Sequence, residues 1–287
     1  MAWAAVTLND EHTMPGISFQ TSLGPSAAPQ IQKALSSGIL QLDLAPGYPS
    51  NAAQVGQALK SSTRSRSEIF ITATWVRQSC RDAGECLRKN LKELDLDYVD
   101  LFLLSDPSIS TRKIAKVWTQ MEKVKGEGLT RSIGVMDFDS TKVEAVLRTA
   151  QIKPAVNQLH FNPYSSERQI TTVKVCHEKA IVVKAYNVLL PGTAHHEGEL
   201  KKRLDKIVER SKAPLPRVIL AWARENKLVP ILTRSEREQL NDNLDIDSIS
   251  LSADELDSIN FIGEDREQRM DKMAESTPGL LDVLGLN

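Results

Sequence analysis

Short apolar runs alternate with amphipathic stretches along most of the chain. The runs are MPGISFQT (14–21), GILQLDL (38–44), EIFITA (68–73), DYVDLFLL (97–104), RSIGVMD (131–137), PAVNQLHF (154–161), AIVVKAY (180–186) and KLVPIL (227–232). Apolar runs this short, bounded by turn signals, predict strands buried on both faces of a parallel sheet. The stretches between them carry helical spacing. Ala27 to Ser37 stops at Gly38, a C-terminal signal. Cys86, Leu87, Leu91 and Leu94 recur on one helical face, as do Val218, Ile219, Trp222 and Ala223 behind Pro214 and Pro216. Asp139 is placed to cap the stretch that follows it, and Ser252 to Glu255 forms a capping box.

Eight strand-plus-helix units predict an α/β fold, a single-domain (β/α)8 TIM barrel over residues 1–287, an architecture that typically takes about 250 residues. An open doubly wound sheet is the competing arrangement, but no GxGxxG or GxxxxGK[ST] follows any strand. Barrel chemistry sits at the C-terminal strand ends. Those ends carry Asp43, Thr74, Ser105, Asp106, Met136, Asp137, His160, Tyr186, Thr233 and Arg234.

Composition narrows the partners. A formal net charge of -1 with dispersed basic residues argues against a nucleic-acid surface. No window reaches the ~18 apolar residues of a membrane span, and the N-terminus has no signal-peptide pattern. Three cysteines without CxxC spacing predict reduced thiols in a cytoplasmic protein. His195 and His196 lie in a polar loop and read as an exposed pair, not as metal ligands.

Several segments, in order, resemble the aldo-keto reductases. LDLAPGYPSNAAQVGQALK is similar to that family's D-T-A-x-x-Y-x-N-E-x-x-V-G-x-A-L signature, and LRKNLKELDLDYVDLFLL to the segment leading into its fourth strand. IGVMDFDSTKVEAVL, KPAVNQLHFNPY, IVVKAYNVLLPG and TRSEREQLNDNLDI resemble later blocks, so the likeness spans roughly residues 12–260. The resemblance implies a nicotinamide cofactor, usually NADPH, a small-molecule carbonyl substrate, and a tetrad of Asp, Tyr, Lys and His. Tyrosine protonates the carbonyl oxygen, lysine and aspartate tune it, and histidine orients substrate. The chemistry is sound: a phenol near pKa 10 needs a neighbouring cation to trade protons at neutral pH.

Asp43 and Tyr48 match the tetrad, but the lysine position is Thr74 and the histidine position is Ser105. Neither replacement can carry a positive charge. Among the implied cofactor residues, Gln158 and Tyr186 match the carboxamide-holding and ring-stacking positions, and Thr21 a residue near the ribose. Gln20 replaces a glycine, Met136 and Asp137 replace a Ser-Asn pair, and Asn187 and Val188 replace Ser-Pro. The Pro-Lys-Ser phosphate clamp becomes Thr233 and Arg234, as in some fungal members in its threonine, and Arg234 can grip a 2′-phosphate bidentately. Gln239 stands for a later arginine, while Asp242 and Asn243 preserve the adenine-side pair.

Strand alternation adds two candidates. His160 shares a face with Gln158, where the family commonly has glutamate, so His160 with Tyr48 and Asp43 is a candidate rewired acid–base site. Its alternative is a hydrogen-bonded barrel polar group. Lys184 shares a face with Tyr186 one layer deeper, as a replacement cation for Tyr48 or in an ion pair with Asp43 or Asp137. Asp106 reads as a loop acid. Trp75 and Trp118 read equally as pocket walls or packing.

Three functions fit this mixture: an NAD(P)H-dependent carbonyl reductase, a non-redox isomerase, dehydratase or cyclase on the same scaffold, and a non-catalytic ligand or cofactor sensor. The loops at 22–29, 75–81, 106–111 and 187–197 carry no readable substrate signal. The tail, 261–287, departs from the family's substrate-covering end; its Leu280, Leu281, Val283 and Leu284 are expected to pack over the barrel mouth. Oligomeric state is not readable from the sequence.

Overall fold

The computed structural model describes residues 3–21, 27–44, 52–106, 108–189, 198–233, 237 and 249–260. Tyr48, His195, His196, Arg234, Gln239, Asp242, Asn243 and the tail lie outside the described residues.

Each of the eight apolar runs overlaps one barrel strand. In chain order these are β3 (Ser18–Gln20), β4 (Gln41–Asp43), β5 (Phe70–Val76), β6 (Val99–Ser105), β7 (Thr130–Met136), β8 (Val156–His160), β9 (Val182–Tyr186) and β10 (Leu228–Leu232). Past the limits of the runs, β5 continues to Val76 and β6 to Ser105, and β7 starts at Thr130. Successive strands pair in parallel, and β10 returns to β3 to close the barrel. The first run differs from its expected limits. Met14 belongs to an antiparallel hairpin of β1 (Val6–Thr7) and β2 (Thr13–Met14), and the chain breaks at Pro15 and Gly16 before β3. Strands of two residues have no periodicity to read.

The helices among the described residues are α1 (Ala27–Ser36), α2 (Ala52–Lys60), α3 (Ala83–Leu94), α4 (Thr111–Gly126), α5 (Ser140–Leu147), α6 (Glu167–Glu178), α7 (Glu199–Ser211), α8 (Leu215–Glu225) and α9 (Ala253–Asn260). Their caps follow the sequence. Gly38, at φ 86°, occupies the left-handed region just past α1. Asp139 accepts from the Lys142 amide at 2.9 Å. The Ser252 amide donates to Glu255 at 2.9 Å and the Glu255 amide to Ser252 Oγ at 3.2 Å. Gly56 serves packing: a Cβ there would lie 2.5 Å from the Leu94 carbonyl oxygen, where α2 meets the end of α3.

Two apolar cores result. The outer one lies between sheet and helices and holds Leu42, Phe102, Leu104, Trp118 and Trp222. The inner one holds Phe70, Leu101, Leu103, Val156 and Val229, joined by Leu8 and Met14 from the hairpin. Trp75 and Trp118 are packing residues, fully buried, with their indole N–H groups on Cys80 O (2.6 Å) and Ile152 O (2.9 Å).

Candidate active site

Alternation along β3, β4, β5 and β9 turns Ser18, Gln41, Asp43, Thr72 and Lys184 into the barrel. All five are buried, with Lys184 at 0% exposure and Asp43 at 3%. The Lys184 ammonium donates to Asp43 Oδ1 at 2.7 Å, Asp43 Oδ2 at 2.8 Å and Thr72 Oγ1 at 3.1 Å. Ser18 Oγ donates to the same carboxylate. With the Gln41 amide turned as its neighbours require, its oxygen accepts from Lys184 at 2.7 Å and its nitrogen donates to Pro15 O at 2.9 Å. Burial pulls the Lys184 pKa down, and Asp43 pulls it back up. The strands β4 and β9 are not neighbours; β3 and β10 lie between them. Lys184 therefore reaches Asp43 across the barrel interior. The ion pair expected of Lys184 is formed, with Asp43 and not with Asp137.

A second polar group sits where β7, β8 and β9 end. The Tyr186 hydroxyl meets both Asp137 carboxylate oxygens at 3.0 Å. The His160 backbone N–H also donates to Asp137, and its ring stands edge-on to Tyr186 with centroids 5.4 Å apart. Asp137 and Asn187 leave their strands at φ 56° and 55°, a left-handed turn that Asp and Asn tolerate better than most residues. Burial raises the Asp137 pKa, and the hydrogen bond from Tyr186 offsets part of that rise. Burial and the adjacent carboxylate push the Tyr186 phenol up, so it stays protonated at neutral pH. Gln158 turns its nitrogen toward Met136 Sδ at 3.9 Å. Its buried oxygen has no hydrogen-bond partner among the described residues.

The remaining candidates make local contacts. Thr21 donates from its amide (2.8 Å) and its hydroxyl (3.0 Å) to the Asp43 carbonyl. Thr74 is half-buried opposite Leu103, and buried Ser105 accepts from the Arg77 amide through its carbonyl at 3.2 Å. Asp106 is the loop acid expected of it: it binds Arg77 at 2.8 Å and the Ser108 hydroxyl at 2.8 Å. The structure thus gathers Asp137, Gln158, His160, Tyr186 and Asn187 on adjacent strand ends, and Asp43 with Lys184 below the mouth. Ser18, Gln41 and Thr72 were missed by sequence reasoning. Their signal was available as the positions two residues before Gln20, Asp43 and Thr74.

A closed parallel barrel with its polar groups collected at the carboxyl ends of the strands defines a barrel enzyme. The sequence profile of the Aldo/keto reductase family matches residues 21–264, and the chain belongs to that family. It is 31% identical to the NAD/NADP-dependent indole-3-acetaldehyde reductase of Schizosaccharomyces pombe, over 83% of this chain and 84% of that one. It is 29% identical to the NADPH-dependent alpha-keto amide reductase of Saccharomyces cerevisiae, over 91% of each. An aldo/keto reductase from Brucella melitensis superposes with a TM-score of 0.79 at 25% identity, covering 91% of this chain and all of that one. The chain is accordingly a nicotinamide-dependent oxidoreductase. Its residues fit the carboxamide end of such a cofactor, because the buried Gln158 oxygen, without a partner among the described residues, can accept from an amide N–H. Among the described residues no helix is long and apolar enough to cross a membrane.

Proposed function

We propose that the chain reduces small aldehydes and α-keto compounds with NAD(P)H in the cytosol, and that Tyr48 gives the proton. The observation that carries this reading is the Asp43–Lys184 pair. The aspartate of the DLAPGY block keeps a buried ammonium although position 74 is a threonine.

When bound, NAD(P)H supplies a hydride to the carbonyl carbon. Gln158 Oε1 would hold the carboxamide, and Tyr186, fixed by Asp137, would hold the nicotinamide ring. Thr21 and Asn187 would hold the same end, and Arg234 and Asn243 the phosphate and adenine end. Tyr48 holds the substrate carbonyl by its hydroxyl and releases that proton as charge develops on the oxygen. A neighbouring ammonium favours the phenolate left behind. Lys184 supplies that charge, and Asp43 holds the ammonium in place. His160, its ring set against Tyr186, orients substrate where Ser105 has lost the imidazole.

The test is NADPH oxidation against an aldehyde and α-keto panel. Tyr48→Phe is expected to lower kcat by about 10²–10⁴, with NADPH affinity by fluorescence titration unchanged. Turnover equal to that of the native chain overturns the donor assignment.

A further inference from the structure

Cys80 and Cys86 flank the turn from β5 into α3, on the same end of the barrel as the polar groups above. Both are half-buried. One carbonyl, that of Asp82, ties them together: it accepts the Cys80 thiol at 3.4 Å and the Cys86 amide at 3.1 Å. The Cys80 thiol also acts electrostatically on the Cys86 thiol. The turn is anchored from below, with the Trp75 indole on the Cys80 carbonyl at 2.6 Å and Arg77 on Asp106 at 2.8 Å. The third cysteine has neither exposure nor a thiol neighbour. Cys176 is fully buried, and Asn157 Nδ2 lies 3.5 Å from its sulfur.

We propose that Cys80 and Cys86 form a reversible dithiol–disulfide site on the active-site face, oxidised by hydrogen peroxide and reopened by a thiol reductant. Only a thiolate attacks efficiently. Burial and the Cys80 sulfur push the Cys86 thiol up to about 12, so Cys86 keeps its proton and Cys80 is the attacking sulfur. The Cys80 thiolate takes one peroxide oxygen: an S–O bond forms, the O–O bond breaks and hydroxide leaves. The hydroxide takes the Cys86 proton as water, and the Cys86 thiolate attacks Cys80 sulfur; the S–S bond forms, the S–O bond breaks and hydroxide leaves, becoming water with the proton that Cys80 lost. Two thiols and one peroxide give one disulfide and two waters. The two residues already share the Asp82 carbonyl before oxidation.

The experiment treats the full chain with hydrogen peroxide, blocks residual thiols, and maps tryptic peptides without reduction. Cleavage after Arg77, Arg81 and Arg88 separates QSCR from DAGECLR. The expected product is these two peptides joined, at the loss of two hydrogen masses, with Cys176 still alkylated and the link reversed by dithiothreitol. Cys80→Ser and Cys86→Ser should each abolish the joined peptide. In Cys86→Ser, Cys80 should accumulate as a sulfenic acid trapped by dimedone. Overturning results are Cys80 passing to sulfinic acid in the native chain without cross-linking, or Cys176 reacting as fast as Cys80.

Discussion

Lys184→Met removes the ammonium that meets Asp43 at 2.7 Å in a site where neither partner reaches solvent. The attraction between unit charges at that distance is about 6 kcal/mol at an effective dielectric of ~20. Desolvating two ions costs several kcal/mol each, so the pair as a whole is close to neutral for stability. Removing one partner is different, because it leaves the Asp43 carboxylate buried with only the hydroxyl of Ser18 as a side-chain donor among the described residues. The expected loss is about 3–5 kcal/mol, or roughly 6–10 °C in Tm for a chain of this size. Asp43→Asn should cost a similar amount by stranding the ammonium. The double variant Asp43→Asn/Lys184→Met should recover most of the loss, since no buried charge remains. Urea unfolding of all four proteins, extrapolated to water, measures the cycle. A single variant within about 1 kcal/mol of the native chain refutes the reasoning. So does a double variant whose loss equals the sum of the singles.

Two further perturbations separate packing from charge. Burial holds the Asp137 carboxyl in the folded chain above its ordinary value, so native stability falls as pH rises from that ordinary value through the folded pKa. Asp137→Asn lacks that slope, and its Tm relative to the native chain should climb over the same window and level off; a pH-independent difference refutes this. Gly56→Ala places a Cβ 2.5 Å from the Leu94 carbonyl oxygen, where both sides are backbone. It should cost about 1–3 kcal/mol in chemical unfolding, and an unchanged midpoint refutes the close-approach argument.

The barrel was legible because its strands are buried on both faces and their apolar runs end at turns. Leu101 to Leu104 faces both cores within four residues, which no half-exposed strand can do. The hairpin was illegible for the opposite reason: Leu8 and Met14 enter the inner core from strands too short to show a pattern. In the site, alternation put His160 with Gln158 and Lys184 with Tyr186, and the structure keeps both pairs on one face. The sequence left open which acid Lys184 would meet. Asp43 and Asp137 lie on different strands at different depths, and only the closed register decides. The Asp137–Tyr186 contact had no sequence signal, since it depends on the left-handed turn at Asp137.

That register also bears on the replacement of the tetrad. By the family resemblance, position by position, Thr74 stands where a lysine is expected and Asp43 would lack its cation. A closed barrel does not confine partners to one wall, because inward residues from β4 and β9 meet across its narrow interior. A cation can therefore be supplied from any strand whose inward position lies at the depth of the acid. Thr72 and Gln41 leave the surrounding polar atoms matched to a lysine coming from that side. If Asp43 had merely outlived its function, a buried acid without a cation would be the costly remnant, and substitution to a neutral residue would relieve it. Here the acid has its cation, and Ser18, Thr72 and Gln41 complete the hydrogen bonding of the pair.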